Sequence, residues 1–191
     1  MTNILIINGN PKPDSLSEEL AKAYKKGAEH SGANCILLSL YELKFNPILQ
    51  HGYNKRTELE PDLINAQEQI KKADHLVFVY PSWWGTYPAL LKGFIDRVFL
   101  PEFAFKYREN SPLWDKLLKG KSARLIVTMD APVWYFKLMQ KAPGHNSMKR
   151  SILYFCGVKP VKITSFSPVK SASEEKIQGW LEKAETIGLI D

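Results

Sequence analysis

The segment that decides the fold is Val77-Phe78-Val79-Tyr80-Pro81-Ser82-Trp83-Trp84-Gly85-Thr86-Tyr87-Pro88. Its first four residues are apolar, β-branched or aromatic, which is the pattern of a buried strand. Pro81 ends this run and opens a loop of aromatic and small residues. Pro88 closes the loop, and proline is favoured where a helix begins because it has no N–H to lose there. The segment therefore predicts a strand, a loop and a helix in direct succession.

The residues after Pro88 predict the helix, because Leu90, Leu91, Phe94 and Ile95 recur at helical spacing between charged residues. The loop before it follows the carboxyl end of a strand, which is where open α/β sheets bind ligands. The adjacent side chains of Trp83 and Trp84 would form a wall for a flat ligand. The same pair is also compatible with filling the core or with a partner-binding patch, and the spacing alone leaves these alternatives open.

The composition bounds the class of protein. The 191 residues suffice for one domain with a full core, and we expect a single domain spanning residues 1–191. No apolar run is long enough to span a membrane, and the N-terminus lacks a secretory signal, so we expect no membrane insertion. Cys35 and Cys156 form neither a disulfide framework nor a zinc pattern, which is typical of a reduced, cytoplasmic setting. The net charge of +6 is spread over isolated basic pairs, which favours a solvated surface over a nucleic-acid groove.

A second loop with binding character follows the apolar run Ile4-Leu5-Ile6-Ile7, which predicts a strand buried on both faces. The loop, Asn10 to Ser17, leads into a helix, and Ser15 and Glu18 have the spacing of a capping box. A strand, a polar loop and a helix N-terminus together are suited to binding a phosphate, although an ordinary helix cap is the commoner reading. The segment matches neither the G-x-G-x-x-G nor the P-loop pattern, which disfavours both of those nucleotide sites.

Apolar runs predict five strands, at residues 4–7, 35–40, 77–80, 123–128 and 161–166. Since they alternate with helices, we predict an α/β protein with three layers and a flavodoxin-like, five-stranded parallel sheet in the order 2-1-3-4-5. In this order the loops after the first, third and fourth strands meet at one crevice. Those loops are residues 10–17, 81–87 and 128–132, and their convergence favours a flavin as the ligand.

Several segments carry weaker patterns. We expect a long polar connection over residues 41–56, an aromatic loop over 101–107 and an irregular segment over 133–144. We further expect a helix from Asn146 to Phe155 and a closing helix from Ser171 to Gly188, with Ser171 and Glu174 as a possible cap. The histidines at positions 30, 51 and 75 are expected at the surface or at strand edges, and Cys156 is expected to be packed.

Several motifs of the chain resemble the NAD(P)H:quinone reductases of flavodoxin-like fold, which include DT-diaphorase and the modulator-of-drug-activity-B proteins. The most specific of these is Pro81-Ser82-Trp83-Trp84-Gly85-Thr86-Tyr87-Pro88-Ala89-Leu90-Leu91-Lys92-Gly93, followed by Asp96-Arg97-Val98-Phe99. The segments Glu102-Phe103-Ala104-Phe105 and Phe155-Cys156-Gly157 continue the similarity, and Thr128-Met129-Asp130-Ala131-Pro132 is similar to the modulator branch. The resemblance covers nearly the whole chain.

The resemblance implies a homodimer with two sites at the subunit interface and a bound flavin, FAD or alternatively FMN. It implies an enzyme of the NAD(P)H dehydrogenase (quinone) type, in which NAD(P)H is the co-substrate and a quinone or similar small molecule accepts two electrons as hydride in a ping-pong cycle. Carried over residue by residue, it places Asn10, Ser15, Leu16 and Ser17 at the flavin phosphates, Pro81, Ser82, Trp83, Trp84 and Gly85 against the ring, and Thr128, Met129, Asp130 and Ala131 along the ring edge. Asn10 stands where the family usually has a histidine.

The resemblance also suggests a catalytic residue. Tyr135 lies within one position of the tyrosine that assists charge relay in DT-diaphorase, and it is our candidate for this role. The histidine that accompanies this tyrosine has no counterpart in register. His145 lies several positions away and is equally compatible with capping a helix.

Two other functions remain open at this level. The first is a flavodoxin-like electron carrier, a class that is usually acidic, which the sequence pI of about 9.2 disfavours. The second is a flavoprotein regulatory or ancillary subunit of a membrane transporter. Accumulation of a one-electron reduced flavin would indicate the first, and co-purification with a membrane partner would indicate the second.

Overall fold

The central element is a five-stranded parallel sheet in the order β2-β1-β3-β6-β7, which confirms the predicted α/β fold and strand order. The computed structural model describes residues 1–55 and 57–191. A separate two-stranded antiparallel hairpin, β4-β5, lies outside this sheet. The strands are β1 (Asn3–Asn8), β2 (Asn34–Ser39), β3 (His75–Pro81), β4 (Phe105–Tyr107), β5 (Trp114–Lys116), β6 (Ser122–Thr128) and β7 (Val161–Phe166).

Helices cover both faces of the sheet and give the three predicted layers. They are α1 (Leu16–His30), α2 (Pro61–Lys72), α3 (Ala89–Val98), α4 (Val133–Leu138), α5 (Pro143–Asn146), a π-helix (Ser147–Tyr154) and α6 (Glu174–Ile190), with a short 3₁₀ turn at Leu40–Glu42. Among the helices described, none has the length and hydropathy needed to cross a bilayer.

The alternation of β1 divides the core into two halves. Ile4 and Ile6 pack towards α1 and α6, together with Leu20 and Ala184. Leu5 and Ile7 pack on the opposite face, in the larger cluster that includes α2, α3 and the π-helix. Because successive side chains of a strand point to opposite faces, an uninterrupted apolar run is what a strand between two helical layers requires.

The long connection between β2 and α2 is fastened to α3. Its predicted end, Arg56, lies outside the described residues. The buried guanidinium of Arg97 donates to the Glu60 carboxylate at 2.7 Å, to the carbonyl of Glu58 at 2.9 Å and to the carbonyl of Asn46. A Cβ at Gly93 would lie 2.6 Å from the carbonyl oxygen of Pro47, so only glycine permits this approach. The motif that follows Pro88 therefore includes residues that anchor the connection as well as residues that form a helix.

Two predicted loops contain regular structure. Residues 133–138 form α4, because Phe136 is buried and anchors the segment to the core, whereas its other aromatic residues are exposed and obscure the helical period. The predicted 101–107 loop ends in β4, whose partner strand holds Trp114. The Trp114 ring stacks on that of Phe155, with centroids 4.4 Å apart, so a distant contact stabilises this short hairpin.

The predicted N-cap of the last helix, Ser171, was wrong by two residues. Ser173, rather than Ser171, precedes α6, and its Oγ accepts a hydrogen bond from the N–H of Lys176 at 3.2 Å. Ser171 has the spacing of a capping box to Glu174, whereas Ser173 has Lys176 at that distance, so the sequence pattern favoured the wrong serine.

His75 also departs from expectation, because it is buried at the start of β3, whereas His30 and His51 are exposed. Its Nδ1 lies 2.7 Å from Ser122 Oγ, and its Nε2 faces the buried carboxylate of Asp191 at 3.8 Å. Asp191 is in turn held by Arg124 and Lys162. These ionic contacts fasten the last turn of α6 to the amino-terminal edge of the sheet.

The crossing of α1 and α6 should not tolerate a side chain at Gly27. An added Cβ there would collide with the backbone oxygen of Glu185, and backbone atoms have little room to move. We therefore expect Gly27→Ala to lower the free energy of unfolding by about 1–3 kcal/mol in urea denaturation, despite the higher helix propensity of alanine. The matched control is Gly179→Ala in α6, where nothing lies within 4 Å, and this variant should be neutral or gain up to about 1 kcal/mol. Equal stability of the two variants would contradict the close crossing.

Candidate functional site

The first component of the site is the loop between β1 and α1. Ser15 is the N-cap of α1, and its Oγ accepts from the N–H of Glu18 at 3.4 Å, as the capping spacing predicted. The Glu18 carboxylate reaches back to the N–H of Asp14 at 3.0 Å and pairs with Lys22 at 2.6 Å. The hydrogen bond from Lys22 lowers the pKa of Glu18, so this carboxylate stays ionised and the ammonium group of Lys22 balances its charge. The N–H groups of Leu16 and Ser17, the first two residues of the helix, have no acceptor within the helix itself.

Side-chain amides brace this loop from within. The N–H of Asn10 donates to Asn8 Oδ1 at 3.2 Å, Asn10 Oδ1 accepts from the N–H of Lys12 at 3.0 Å, and Asn10 Nδ2 lies 3.4 Å from Ser17 Oγ. Asn10, Ser15 and Ser17 are each more than 90% buried. The structure thus brings the predicted phosphate-binding residues together in one preformed loop, with Leu16 as the first residue of α1.

Asn8 is a polar residue of this site that the sequence pattern did not single out. It ends the apolar run of β1, is completely buried, and its Nδ2 has no hydrogen-bond partner among the described residues. The signal in the sequence was a single asparagine at the end of four aliphatic residues.

The second component is a two-residue turn, Trp83 to Thr86, at the end of β3. Trp83 and Thr86 exchange backbone hydrogen bonds of 2.9 and 3.0 Å, and the two central residues have positive φ, 51° at Trp84 and 75° at Gly85. Positive φ at both positions is the geometry of a type I′ turn, which suits glycine but strains a bulky residue such as tryptophan. The turn leaves Trp83 half exposed and Trp84 fully exposed, so neither is core filler.

Three hydrogen bonds fix the position of this turn. The N–H of Ser82 donates to the carbonyl of Thr128 at 2.7 Å, and the N–H of Gly144 donates to the carbonyl of Gly85 at 2.9 Å. The hydroxyl of Tyr87 lies 3.1 Å from Ser147 Oγ. The loop after β3 is therefore held against the loop after β6 and against the start of the π-helix.

The third component is the loop after β6. Thr128 and Met129 are buried. The N–H of Met129 donates to the carbonyl of Phe166, at the end of β7, at 3.0 Å, and the Met129 carbonyl accepts from the N–H of Val169 at 3.1 Å. The exposed Asp130 accepts from the N–H of Lys170 at 2.8 Å, and Ala131 is partly buried beside it. The carboxylate of Asp130 thus orders the loop after β7.

The candidate catalytic residues differ in their surroundings. Tyr135 is 40% exposed on α4, with its ring edge-to-face against Trp134. His145 is 5% exposed, with Nε2 3.4 Å from Ser165 Oγ and its ring against Phe136. Burial lowers the pKa of His145 to about 4, and the charge of Lys137 acts in the same direction. His145 is therefore a neutral side chain that packs α5 onto β7, whereas the hydroxyl of Tyr135 is accessible.

The carboxyl-terminal edge of the sheet thus combines a helix N-terminus, an exposed aromatic wall and a third polar loop. Cavities of about 280 and 360 Å³ lie at the opposite edge, lined mainly by the starts of β1 and β2 and by the end of α6. They lack both the helix N-terminus and the aromatic wall. No group of acidic, histidine or cysteine residues in the described chain is arranged to hold a metal.

The buried neutral state of His145 predicts a loss of stability in acid. Between pH 6.5, the ordinary pKa of histidine, and about pH 4, the unfolded chain binds a proton at His145 that the folded protein excludes. The free energy of unfolding should therefore fall as the pH falls through this range. His75, with its pKa lowered to about 4 by burial, should add to the effect. In urea denaturation over this range, His145→Gln should lose less stability than the wild type. The exposed-site control His51→Gln should match the wild type, and an unchanged pH dependence in His145→Gln would contradict the assignment.

Comparison with known proteins agrees with this architecture. A family model described as flavodoxin-like fold matches residues 2–187. An NAD(P)H oxidoreductase of Haemophilus influenzae, named uncharacterized, is 29% identical over 188 residues, covering 95% of this chain and 92% of its own. The ribosyldihydronicotinamide dehydrogenase (quinone) of Pongo abelii is 26% identical over 217 residues, covering 96% of this chain and 91% of its own.

Solved structures give the same result. Smu.1420 of Streptococcus mutans UA159 is 32% identical with a TM-score of 0.87, over the whole of both chains. An FMN-dependent NADH-azoreductase of Bacillus anthracis str. Ames Ancestor, solved with FMN, is 19% identical with a TM-score of 0.76 over 98% of each chain, which shows a shared fold. The chain therefore belongs to the flavodoxin-like fold family and, as its sequence predicted, is related within it to the NAD(P)H:quinone reductases.

Proposed function

We propose that the chain is a flavin-dependent NAD(P)H oxidoreductase that reduces quinones or similar small molecules by two electrons in a ping-pong cycle. The observation that carries this proposal is the convergence of the braced loop at the N-terminus of α1, the strained turn Trp83–Thr86 and the loop of residues 128–131 at one edge of the sheet. The relatives named as NAD(P)H and quinone oxidoreductases support the same class of activity.

The residues present fit the phosphate end of a flavin. The N–H groups of the first turn of α1 favour an anion through hydrogen bonding and through the helix dipole. Asn10, Ser15, Leu16 and Ser17 would hold this group, and the unpartnered Nδ2 of Asn8 shows that the buried part of the loop has a donor to spare. FAD is our choice from the resemblance, and FMN, which the azoreductase neighbour binds, is the alternative.

The residues of the second and third loops would hold the ring. Pro81, Ser82, Trp83, Trp84 and Gly85 would contact its face, and Thr128, Met129, Asp130 and Ala131 would lie along its edge. When bound, the flavin supplies hydride transfer between NAD(P)H and the acceptor, which the protein side chains cannot perform themselves. Backbone N–H groups of these loops would stabilise the negative charge that the reduced ring carries, because fixed dipoles need no reorganisation.

The exposed aromatic surface supports a homodimer with sites at the interface. Trp84 is fully exposed, and Trp134, Leu138 and Met139 are each more than 60% exposed. Trp134 and Leu138 lie one turn apart in α4, and adjoining exposed apolar groups mark interfaces and ligand sites. We propose that a second copy of the chain covers this surface.

We further propose that residues 1–191 act as one domain. In this proposal the protein works in the cytoplasm, binds no nucleic acid and does not insert into a membrane.

The first test is an absorbance spectrum of the purified protein, followed by anaerobic titration with NADPH and with NADH. We expect flavin bands near about 375 and 450 nm that bleach in a single two-electron phase and return when a quinone is added. A colourless protein that binds neither FAD nor FMN would exclude the proposal. Accumulation of a one-electron reduced form would favour an electron carrier instead.

The role of Tyr135 can be tested separately. We expect the Tyr135 hydroxyl to hold a proton beside the charge that develops during hydride transfer. General acid–base catalysis typically raises a rate 10²–10⁴-fold. Because this hydroxyl is exposed, we expect it to raise the rate of flavin reduction by about tenfold or more. Tyr135→Phe should slow flavin reduction in stopped-flow experiments at saturating NAD(P)H and leave the dissociation constant of the flavin unchanged. The control is Tyr107→Phe, an exposed tyrosine of β4, which should match the wild type. Equal rates in all three proteins would exclude a catalytic role for Tyr135.

A further inference from the structure

Asn8 has no assigned role, yet its surroundings are unusual. It is fully buried at the carboxyl end of β1, where it lies opposite Ser39 of β2 and Val79 of β3. A strand residue at this depth in a three-layer sheet is ordinarily apolar, because both faces of the sheet are covered. An amide at this position therefore requires partners for its carbonyl oxygen and for its N–H groups.

The direction of the Asn8 side chain follows from the alternation of β1. Ile4 and Ile6 pack on the side of α1 and α6, and Asn8 shares their parity, so its side chain projects towards α1. The hydrogen bond from Asn10 N–H to Asn8 Oδ1, at 3.2 Å, fixes the amide beneath the loop that leads to α1. The carbonyl end of the amide is thus satisfied within the loop.

The other end of the amide is not satisfied. Asn8 Nδ2 has no hydrogen-bond partner among the described residues, although the atom is buried. A buried donor without a partner destabilises a folded protein, and such a group points to a ligand or a bound water when it persists. Since an N–H₂ group only donates, the missing partner is an acceptor oxygen.

The position favours an anionic acceptor. The amide lies under the loop that contains the N-cap Ser15, and the first turn of α1 attracts negative charge through its free N–H groups. Asn10 links the unpartnered buried amide to the helix N-terminus, because its N–H donates to Asn8 Oδ1 and its Nδ2 lies 3.4 Å from Ser17 Oγ. A phosphate oxygen satisfies both.

We propose that Asn8 is a phosphate-binding residue, whose Nδ2 donates a hydrogen bond to a phosphate oxygen of the bound flavin nucleotide while its Oδ1 holds Asn10 in place. The proposal rests on the flavin-dependent function proposed above. It adds a buried strand residue to a binding loop that the resemblance places only in residues 10–17. It also means that β1 contributes a side chain to recognition as well as positioning the loop.

The test compares nucleotides with and without the phosphate. The flavin-free protein is titrated with FMN, with FAD and with riboflavin, which lacks the phosphate, and binding is followed by flavin fluorescence. We expect Asn8→Ala to weaken FMN and FAD binding by about tenfold to a hundredfold, the usual effect of losing a hydrogen bond to a charged group. Riboflavin binding should change by less than about threefold. Asn8→Asp should weaken binding of the nucleotides further, since a carboxylate repels phosphate.

The matched control is Ser39→Ala, which removes a buried polar group from the neighbouring strand in register with Asn8. It should leave the affinities for all three flavins unchanged. The thermal midpoint of each flavin-free variant shows whether it has folded, and the increase in midpoint on adding FMN provides a second readout of affinity.

The outcomes separate the two proposals. Equal loss of riboflavin and FMN affinity in Asn8→Ala would mean that Asn8 supports the loop without contacting the phosphate, and would overturn this inference alone. Unchanged FMN affinity in both Asn8 variants would do the same. Failure of the wild type to bind any of the three flavins would overturn the proposed function and this inference with it.

Discussion

The candidate site depends on the parallel ladder of β1, β3 and β6. The hydrogen bonds from Gly9 N–H to Val79 O, 2.8 Å, and from Ser82 N–H to Thr128 O, 2.7 Å, continue this ladder to the residues where the chain leaves each strand. Parallel strands in register end at the same edge of the sheet. The loops after β1, β3 and β6, which are far apart in sequence, therefore begin next to one another at that edge. A slip of one residue in β3 would turn Trp83 and Trp84 to other directions and remove the wall.

The ladder alone does not determine the shape of the aromatic wall formed by Trp83 and Trp84, because the turn that carries these two residues is strained. Trp84 occupies a left-handed conformation that is costly for a bulky residue, and Lys141 and Ala142 do so in the segment that contacts the turn. The bond from Gly144 to Gly85 joins these two strained segments. A Cβ at Gly144 would lie 2.7 Å from the Gly85 oxygen, so the contact requires glycine there. Strain held in place by neighbouring contacts is typical of a preorganised binding site, and here it keeps an aromatic side chain fully in solvent.

The fold could be predicted almost completely from the sequence, whereas the site could be predicted only in part. The apolar runs at Ile4–Ile7 and around Val77 determine strands because their burial is local and continuous. Around Trp83 and Trp84 the sequence predicted a loop with aromatic residues but not its turn geometry, because positive φ at a tryptophan has no sequence signature. α4 was missed because only Phe136 is buried. Ser173 was missed as a cap because Ser171, and not Ser173, has a glutamate three residues later. The position of α4 depends on the contact of Phe136 with the core, whereas the cap of α6 is a local hydrogen bond from Lys176 that the capping pattern did not select.

The charge distribution of the site gives a reason for its composition. Buried polar residues at this edge, such as Asn8, Asn10, Ser17 and Thr128, are neutral, and His145 is kept neutral by burial. The carboxylate of Glu18 is the charged exception, and Lys22 neutralises it. An unpaired buried donor costs a few kcal/mol, whereas an unpaired buried ion costs far more. Apart from Glu18, the buried side chains of the loop between β1 and α1 are amides and hydroxyls, so this loop folds without a buried charge that lacks a partner. A loop that relied on a buried arginine or lysine would have to pair that charge with a carboxylate, and the ligand would then compete with it. The net charge of +6 gives the chain a long-range attraction for anionic solutes, which requires no buried cation in this loop.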